Sequence, residues 1–148
     1  MAPLAEQARE RIEELFTYKT KNLDLLREAL YAGGPTTIGG RSLREANKNI
    51  ALIGDSVLKT VLVTDSWEAG MMKGPSTDRT SFVLSNANLD VVGRAQGLER
   101  FLVLNDIYQK VSPYMVATAV EAIFGAIYYD SGMDAKVVRR GMLAFGLL

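Results

Sequence analysis

Residues 47–63 form a largely apolar stretch that carries a single acid, Asp55, in its middle. Its apolar side chains recur at helical spacing and occupy both sides of the predicted helix. One side holds Ile50, Ile53, Val57 and Val61, and the other holds Leu52, Leu58 and Leu62. A helix that is apolar nearly all round is a buried helix. Because an unpaired buried carboxylate is costly, we expect Asp55 either to line a cleft or to have a dedicated partner.

A second apolar helix is predicted further along the chain. Ser112 and Pro113 are a strong start signal, because serine caps a helix and proline suits its first turn. The pattern runs over residues 114–130, is apolar on every face and holds the interior acid Glu121. Two such helices exceed what one small core covers. We therefore expect a second copy of the chain to bury part of their surface.

The remaining patterns are also helical, and no strand pattern competes with them. We expect helices over residues 3–19, 23–31 and 43–68, one beginning at Ser76 or Thr77, one between Ser85 and a C-cap at Gly97, and one over 134–145. Asn22 is predicted to cap the second helix, and residues 32–40 are predicted to be a loop. The prediction is an all-α fold of about seven helices in one domain, residues 1–148.

The composition narrows the chemistry that this chain can perform. It has no cysteine and no histidine, which excludes thiol nucleophiles, histidine bases and the usual zinc ligands. A metal site would use oxygen donors, which favours magnesium, manganese or calcium. The 17 basic and 17 acidic side chains give a net charge of zero, whereas a dedicated nucleic-acid binder carries a basic excess. Strong RNA binding by this domain alone is therefore not expected.

The sequence offers no membrane or secretion signal. It has no run of eighteen apolar residues, so we expect no membrane partner. The first residues are acidic and amphipathic, unlike a secretory signal or an Arg-rich transit peptide. We therefore expect an intracellular protein, in the cytoplasm or an organelle matrix.

Residues 47–58 resemble the signature of ribonuclease III endonuclease domains. That family reads Asn-Glu-Arg-Leu-Glu-Phe-Leu-Gly-Asp-Ala-Val-Leu where this chain reads Asn-Lys-Asn-Ile-Ala-Leu-Ile-Gly-Asp-Ser-Val-Leu. The second apolar helix is similar to the family as well. The family's Ala-Asp-Ala-Phe-Glu-Ala and Leu-x-Gly-Ala-Ile-Tyr-x-Asp-x-Gly correspond to residues 117–122 and 123–132. The resemblance covers roughly residues 20–148, essentially the whole domain.

This resemblance implies a helical domain that dimerises around a valley for double-stranded RNA, as in RNA-processing endonucleases. It also implies four carboxylates per active centre that hold magnesium, with metal-activated water cutting a phosphodiester. On this chain the four positions are Ala51, Asp55, Thr118 and Glu121. Asp55 and Glu121 are thus the retained candidates for catalysis and metal binding, and Lys48 stands where the family has a further acid.

The losses at these positions bear on activity. Two carboxylates would hold one magnesium or manganese ion weakly, and an ammonium group nearby would compete with it. We interpret the chain as a degenerate family member, a pseudoenzyme. In this interpretation Asp55 and Glu121 are satisfied by Lys48, Thr118, Lys59 or water.

Three functions remain open from the sequence. The first is a non-catalytic, RNA-associated or protein scaffold that acts as a homodimer. The second is a weakly active, Mg- or Mn-dependent endoribonuclease for double-stranded RNA. The third is a cleft repurposed for a small-molecule ligand or reaction, with Asp55 or Glu121 as acid or base.

Other charged and aromatic residues are weaker candidates for function. Scattered bases could contact phosphate, but such residues usually form a solvated surface; they are Arg41, Arg44, Lys48, Arg139 and Arg140. Trp67 and the pair at 128–129 are interpreted as core or interface residues.

Overall fold

The computed structural model describes residues 2–105 and 109–148, which are mostly helical. Within them lie seven α-helices: α1 (Leu4–Phe16), α2 (Leu23–Leu30), α3 (Lys48–Glu68), α4 (Lys73–Val83), α5 (Asn86–Ala95), α6 (Pro113–Asp130) and α7 (Ala135–Phe145). A 3₁₀ turn, Leu98–Phe101, follows α5. The predicted all-α class with about seven helices is confirmed. In this part of the chain no helix is long and apolar enough to cross a bilayer.

A short β-hairpin between α2 and α3 was not predicted. Its strands β1 (Thr36–Ile38) and β2 (Arg41–Leu43) are antiparallel, and Gly39 and Gly40 close the turn with φ angles of 58° and 77°. Two consecutive positive φ angles suit the tight turn of a hairpin. The predicted loop over 32–40 was therefore wrong at β1, and the predicted helix start at residue 43 was also wrong, because strand pairing occupies this backbone.

Capping side chains account for several helix starts. Asn22 Oδ1 accepts a hydrogen bond from Asp24 N at 3.0 Å, and Ser112 Oγ accepts one from Met115 N at 3.2 Å, as predicted. By contrast, α4 begins at Lys73, before the predicted Ser76 or Thr77. Its first turn tolerates a proline because the N–H groups there have no partners within the helix.

The centre of the fold is α6. Its residues from Val116 to Ile127 are buried except for Glu121, and α3, α5 and α2 pack around it. Beneath it, the ring of Phe16 lies 4.8 Å from that of Phe124 and 6.1 Å from that of Phe145 between centroids. The prediction that α6 is buried on every side is confirmed for this middle part of the helix, whereas Tyr114 and Tyr129 near its ends are exposed.

The helix α3 is buried on one side only. Its exposed apolar side chains are Leu52, Ile53, Val63 and Trp67, which we call the apolar α3 surface. Leu52 is 63% exposed and Trp67 is 77% exposed, so the predicted burial of α3 all round is wrong for the single chain. Apolar spacing alone does not tell which side of a helix meets α6 and which side meets water or a partner.

Candidate functional site

The site lies where α3 crosses α6, and two glycines set the distance between these helices. A Cβ added at Gly54 would lie 1.6 Å from the carbonyl oxygen of Glu121. A Cβ added at Gly125 would lie 2.2 Å from the carbonyl oxygen of Ile50. Because backbone meets backbone at both glycines, the residue after Gly54 is held close to Glu121.

A buried amide also positions the first turn of α3. Asn47 precedes the helix, and its Nδ2 donates a hydrogen bond to the carbonyl oxygen of Ala29 at 2.9 Å. This contact joins the end of α2 to the start of α3. It therefore helps to fix the position of Lys48, the next residue, and of Ala51, one turn further along.

All five predicted site positions meet in one cleft. Lys48, Ala51, Asp55, Thr118 and Glu121 line an open cleft of 230 Å³ between α3 and α6, here called the Asp55 cleft. The predicted α3 and α6 residues are thus brought together by the fold.

Four further residues line the Asp55 cleft and were missed at the sequence level: Glu45, Asn49, Leu52 and Tyr114. One signal was available for Tyr114. It precedes Thr118 by four residues, and residues at that spacing share a helix face.

Asp55 and Glu121 contact each other directly. The pKa of Glu121 is raised from its ordinary 4.5 to about 8, first by burial, then by the charge of Asp55 and by a hydrogen bond with Asp55. Asp55 itself belongs to an exposed position of α3. Two carboxyl groups in hydrogen-bond contact cannot both ionise easily, so Glu121 keeps a proton at neutral pH.

The cations that we expected beside these acids do not neutralise them. Among the described residues, neither Lys48 nor Lys59 forms an ion pair with Asp55 or Glu121. Lys48 and the buried Thr118 line the cleft, whereas Lys59 does not. The partner that the fold provides for Glu121 is therefore Asp55.

The shared proton predicts a pH-dependent stability. Native Glu121 holds its proton up to about pH 8, whereas the unfolded chain releases it near 4.5. The stabilisation is therefore complete below pH 4.5 and is lost as pH rises to about 8. Glu121→Gln removes this dependence. The free energy of unfolding of the variant minus that of the wild type should therefore increase by about 1–2 kcal/mol from pH 5 to pH 8, after allowance for partial solvent screening.

Urea unfolding of both proteins at several pH values measures this difference. The control is Glu10→Gln on the exposed side of α1, which should keep a constant offset from the wild type. Parallel curves for Glu121→Gln and the wild type would contradict the shared proton.

Most of the other basic candidates act within the fold. Arg139 and Arg79 pair with Asp65 at 3.0 and 2.9 Å, and hydrogen bonds from Arg139 and then Arg79 lower the pKa of that carboxyl. Arg140 donates to two carbonyl oxygens at the end of α1, at 3.1 Å each. Arg41 pairs with Glu28. These contacts favour a structural role for the bases over phosphate binding.

Comparison with known proteins points to one family. The family model described as Ribonuclease-III-like matches residues 39–143. The chain is 31% identical over 133 residues to Ribonuclease 3 of Rhodopirellula baltica, which covers 84% of this chain and 47% of that protein. It is 30% identical over 137 residues to Ribonuclease 3 of Bordetella petrii, covering 87% and 52% respectively. The chain thus spans about half the length of the curated relatives it matches.

The fold is also similar to a solved nuclease domain. The nuclease domain of ribonuclease III from Campylobacter jejuni superimposes with a TM-score of 0.74 at 22% identity, over 93% of this chain and 98% of that one. That structure is described as flexible in a region involved in dimer formation of its own domain. A second structure of the same domain gives the same TM-score, over 90% of this chain and 93% of that one.

Proposed function

Because the chain belongs to the Ribonuclease-III-like family, we propose that it is an intracellular, homodimeric scaffold with a ribonuclease III fold. In this proposal it associates with RNA or protein and does not cut double-stranded RNA with a pair of metal ions. The observation that carries the proposal is the donor set of the Asp55 cleft, which holds an alanine and a threonine at two of its four key positions.

The donor set does not fit a pair of divalent cations. Two such ions beside a phosphate need several anionic oxygens held in a fixed geometry. The cleft offers only two carboxyl groups at the four key positions, Asp55 and Glu121. Among the described residues, no three acids lie close enough together to hold a metal, so Glu45 does not complete the set. Lys48 adds a positive charge that opposes a cation in the same cleft.

The apolar α3 surface supports the homodimer. Single exposed apolar residues are ordinary, but Leu52, Ile53, Val63 and Trp67 follow one another along a single helix. A twofold axis near this helix would let the same surface pack against itself. The dimer-forming region ascribed to the Campylobacter jejuni domain is consistent with this proposal.

Cleavage of long double-stranded RNA tests the catalytic half of the proposal. We expect the wild type with Mg²⁺ or Mn²⁺ to cut no faster than Asp55→Asn. A variant that combines Lys48→Glu, Ala51→Glu and Thr118→Asp should gain at least about 100-fold in rate, because it supplies the missing anionic ligands. Light scattering on the same samples should give twice the 16.2 kDa mass of one chain.

The outcomes of this experiment are distinct. Cleavage by the wild type that Asp55→Asn abolishes would refute the scaffold. A folded combined variant without activity would show that the absent acids are not what prevents cleavage. A mass of one chain at micromolar concentration would remove the dimer from the proposal.

The second candidate is a weak metal-dependent endoribonuclease. Two observations favour it: Asp55 and Glu121 are adjacent in the cleft, and the relatives are named Ribonuclease 3. A single ion bound by this pair would have to displace the proton of Glu121, so activity should rise as pH increases toward about 8 and level off above it. A flat pH profile would count against this candidate.

A further inference from the structure

We propose that a second pocket, on another side of α3 from Asp55, binds a small organic cation. The pocket measures 430 Å³ and lies between α2, the hairpin and the start of α3, with the end of α6 at its rim. We call it the hairpin pocket. It shares only Asn49 with the lining of the Asp55 cleft, and one residue of its lining, Ile53, also belongs to the apolar α3 surface.

Glu28 supplies the charge that would recognise a cation. Its side chain is 6% exposed and lies in the wall of the pocket. In the described part of the chain its ion-pair partner is Arg41, through one contact of 3.1 Å to Oε1. The Arg41 side chain is 66% exposed, so much of its charge is turned toward water. A buried carboxylate with one such partner retains capacity for a second charged donor.

The rest of the lining fits the body of such a ligand. Tyr129 is 57% exposed at the rim, where its ring can cover a cation. Ile38 and Ile50 give an apolar floor, and Asn49 adds an amide. A concave apolar pocket with a few polar groups, of a few hundred Å³, is the usual form of a small-molecule site.

The balance of charge selects the sign of the ligand. Two carboxylates, Asp24 and Glu28, and one guanidinium, Arg41, line the hairpin pocket. Arg27 pairs with Asp24 at 2.8 Å but does not line the pocket. An anion would therefore meet two carboxylates, and a neutral ligand would leave Glu28 without a second donor. A primary amine on an aromatic or aliphatic body matches both the charge and the apolar floor.

Phenethylamine and its neutral counterpart 2-phenylethanol test the proposal on the whole chain by isothermal titration calorimetry. We expect phenethylamine to bind at least about tenfold more tightly, because only the ammonium pairs with Glu28. Glu28→Gln keeps the shape and the acceptor for Arg41 but loses the charge, so it should abolish this preference. Glu10→Gln, on the exposed side of α1, should retain it.

Each other result overturns the cation site. Equal affinity of the two ligands for the wild type would show that the pocket recognises the shape of the ligand and not its charge. Absence of binding, or an unchanged preference in Glu28→Gln, would remove Glu28 from recognition. If phenethylamine fails to bind at protein concentrations where light scattering reports a dimer, a second copy of the chain covers the pocket. If the wild-type comparison shows no preference, the proposal fails even when Glu28→Gln does not fold.

Discussion

Gly54→Ala is expected to destabilise the protein by about 3 kcal/mol, net of the higher helix propensity of alanine. The new methyl group would lie 1.6 Å from the Glu121 carbonyl oxygen and 3.0 Å from Gly125 N. These are backbone atoms of a buried helix, so α3 and α6 would have to separate. The whole core packs around α6, and separation would leave poorly filled space on both of its sides.

Chemical denaturation followed by circular dichroism measures this loss. Gly125→Ala should behave similarly, since its Cβ would lie 2.2 Å from the Ile50 carbonyl oxygen. Gly74→Ala is the matched control: this glycine is in the first turn of α4, with no atom within 4 Å of an added Cβ. It should change stability by less than about 1 kcal/mol. If Gly54→Ala were as stable as the wild type, α3 and α6 would have to be farther apart at this glycine than the structure places them.

Asp130→Ala is expected to cost about 3 kcal/mol through the loss of three hydrogen bonds. Oδ2 of this residue accepts from Tyr18 OH at 2.7 Å and from Lys21 N at 2.8 Å, and Oδ1 accepts from Asn22 N at 2.8 Å. The carboxylate thus ties the end of α6 to the connection between α1 and α2. A negative charge at a helix C-terminus is otherwise unfavourable, so these bonds explain why an acid occupies the position.

The same contact should be visible in the titration of Tyr18. Burial, a hydrogen bond from its hydroxyl to Asp130 and the charge of Asp130 raise its pKa to about 12. In Asp130→Ala the pKa should fall toward 10, as measured by ultraviolet absorbance. Asp90→Ala, which breaks one i,i+4 ion pair with Arg94, is the control and should cost less than about 1 kcal/mol. Equal stability of the two variants would refute the role assigned to Asp130.

Several features of the fold were predictable because they depend on neighbouring residues. The caps at Asn22 and Ser112 are local hydrogen bonds, and they lie where they were expected. The burial of α6 follows from apolar side chains on every face. The resemblance at the two motifs led to the family that the comparisons support. It also singled out five positions that prove to line one cleft.

Other features depend on contacts between distant parts of the chain. The hairpin arises from pairing of two three-residue strands, too short to leave an alternating pattern. The exposure of Asp55 depends on which side of α3 packs against α6, and apolar residues lie on both sides. Gly54 and Asp130 were noted in the sequence only as matches to the family motifs. In the structure Gly54 lets α6 approach α3 closely, and Asp130 joins the end of α6 to the connection between α1 and α2.

The sequence by itself indicated that the segments of α3 and α6 are helical. It also showed that positions 51 and 118 carry no acid. That the protonated Glu121 donates a hydrogen bond to Asp55 was not readable from the sequence, because the two are 66 positions apart and meet through the glycine crossing. Helices form through contacts within a few residues, whereas a proton shared between two carboxyl groups depends on a separation that tertiary packing alone sets.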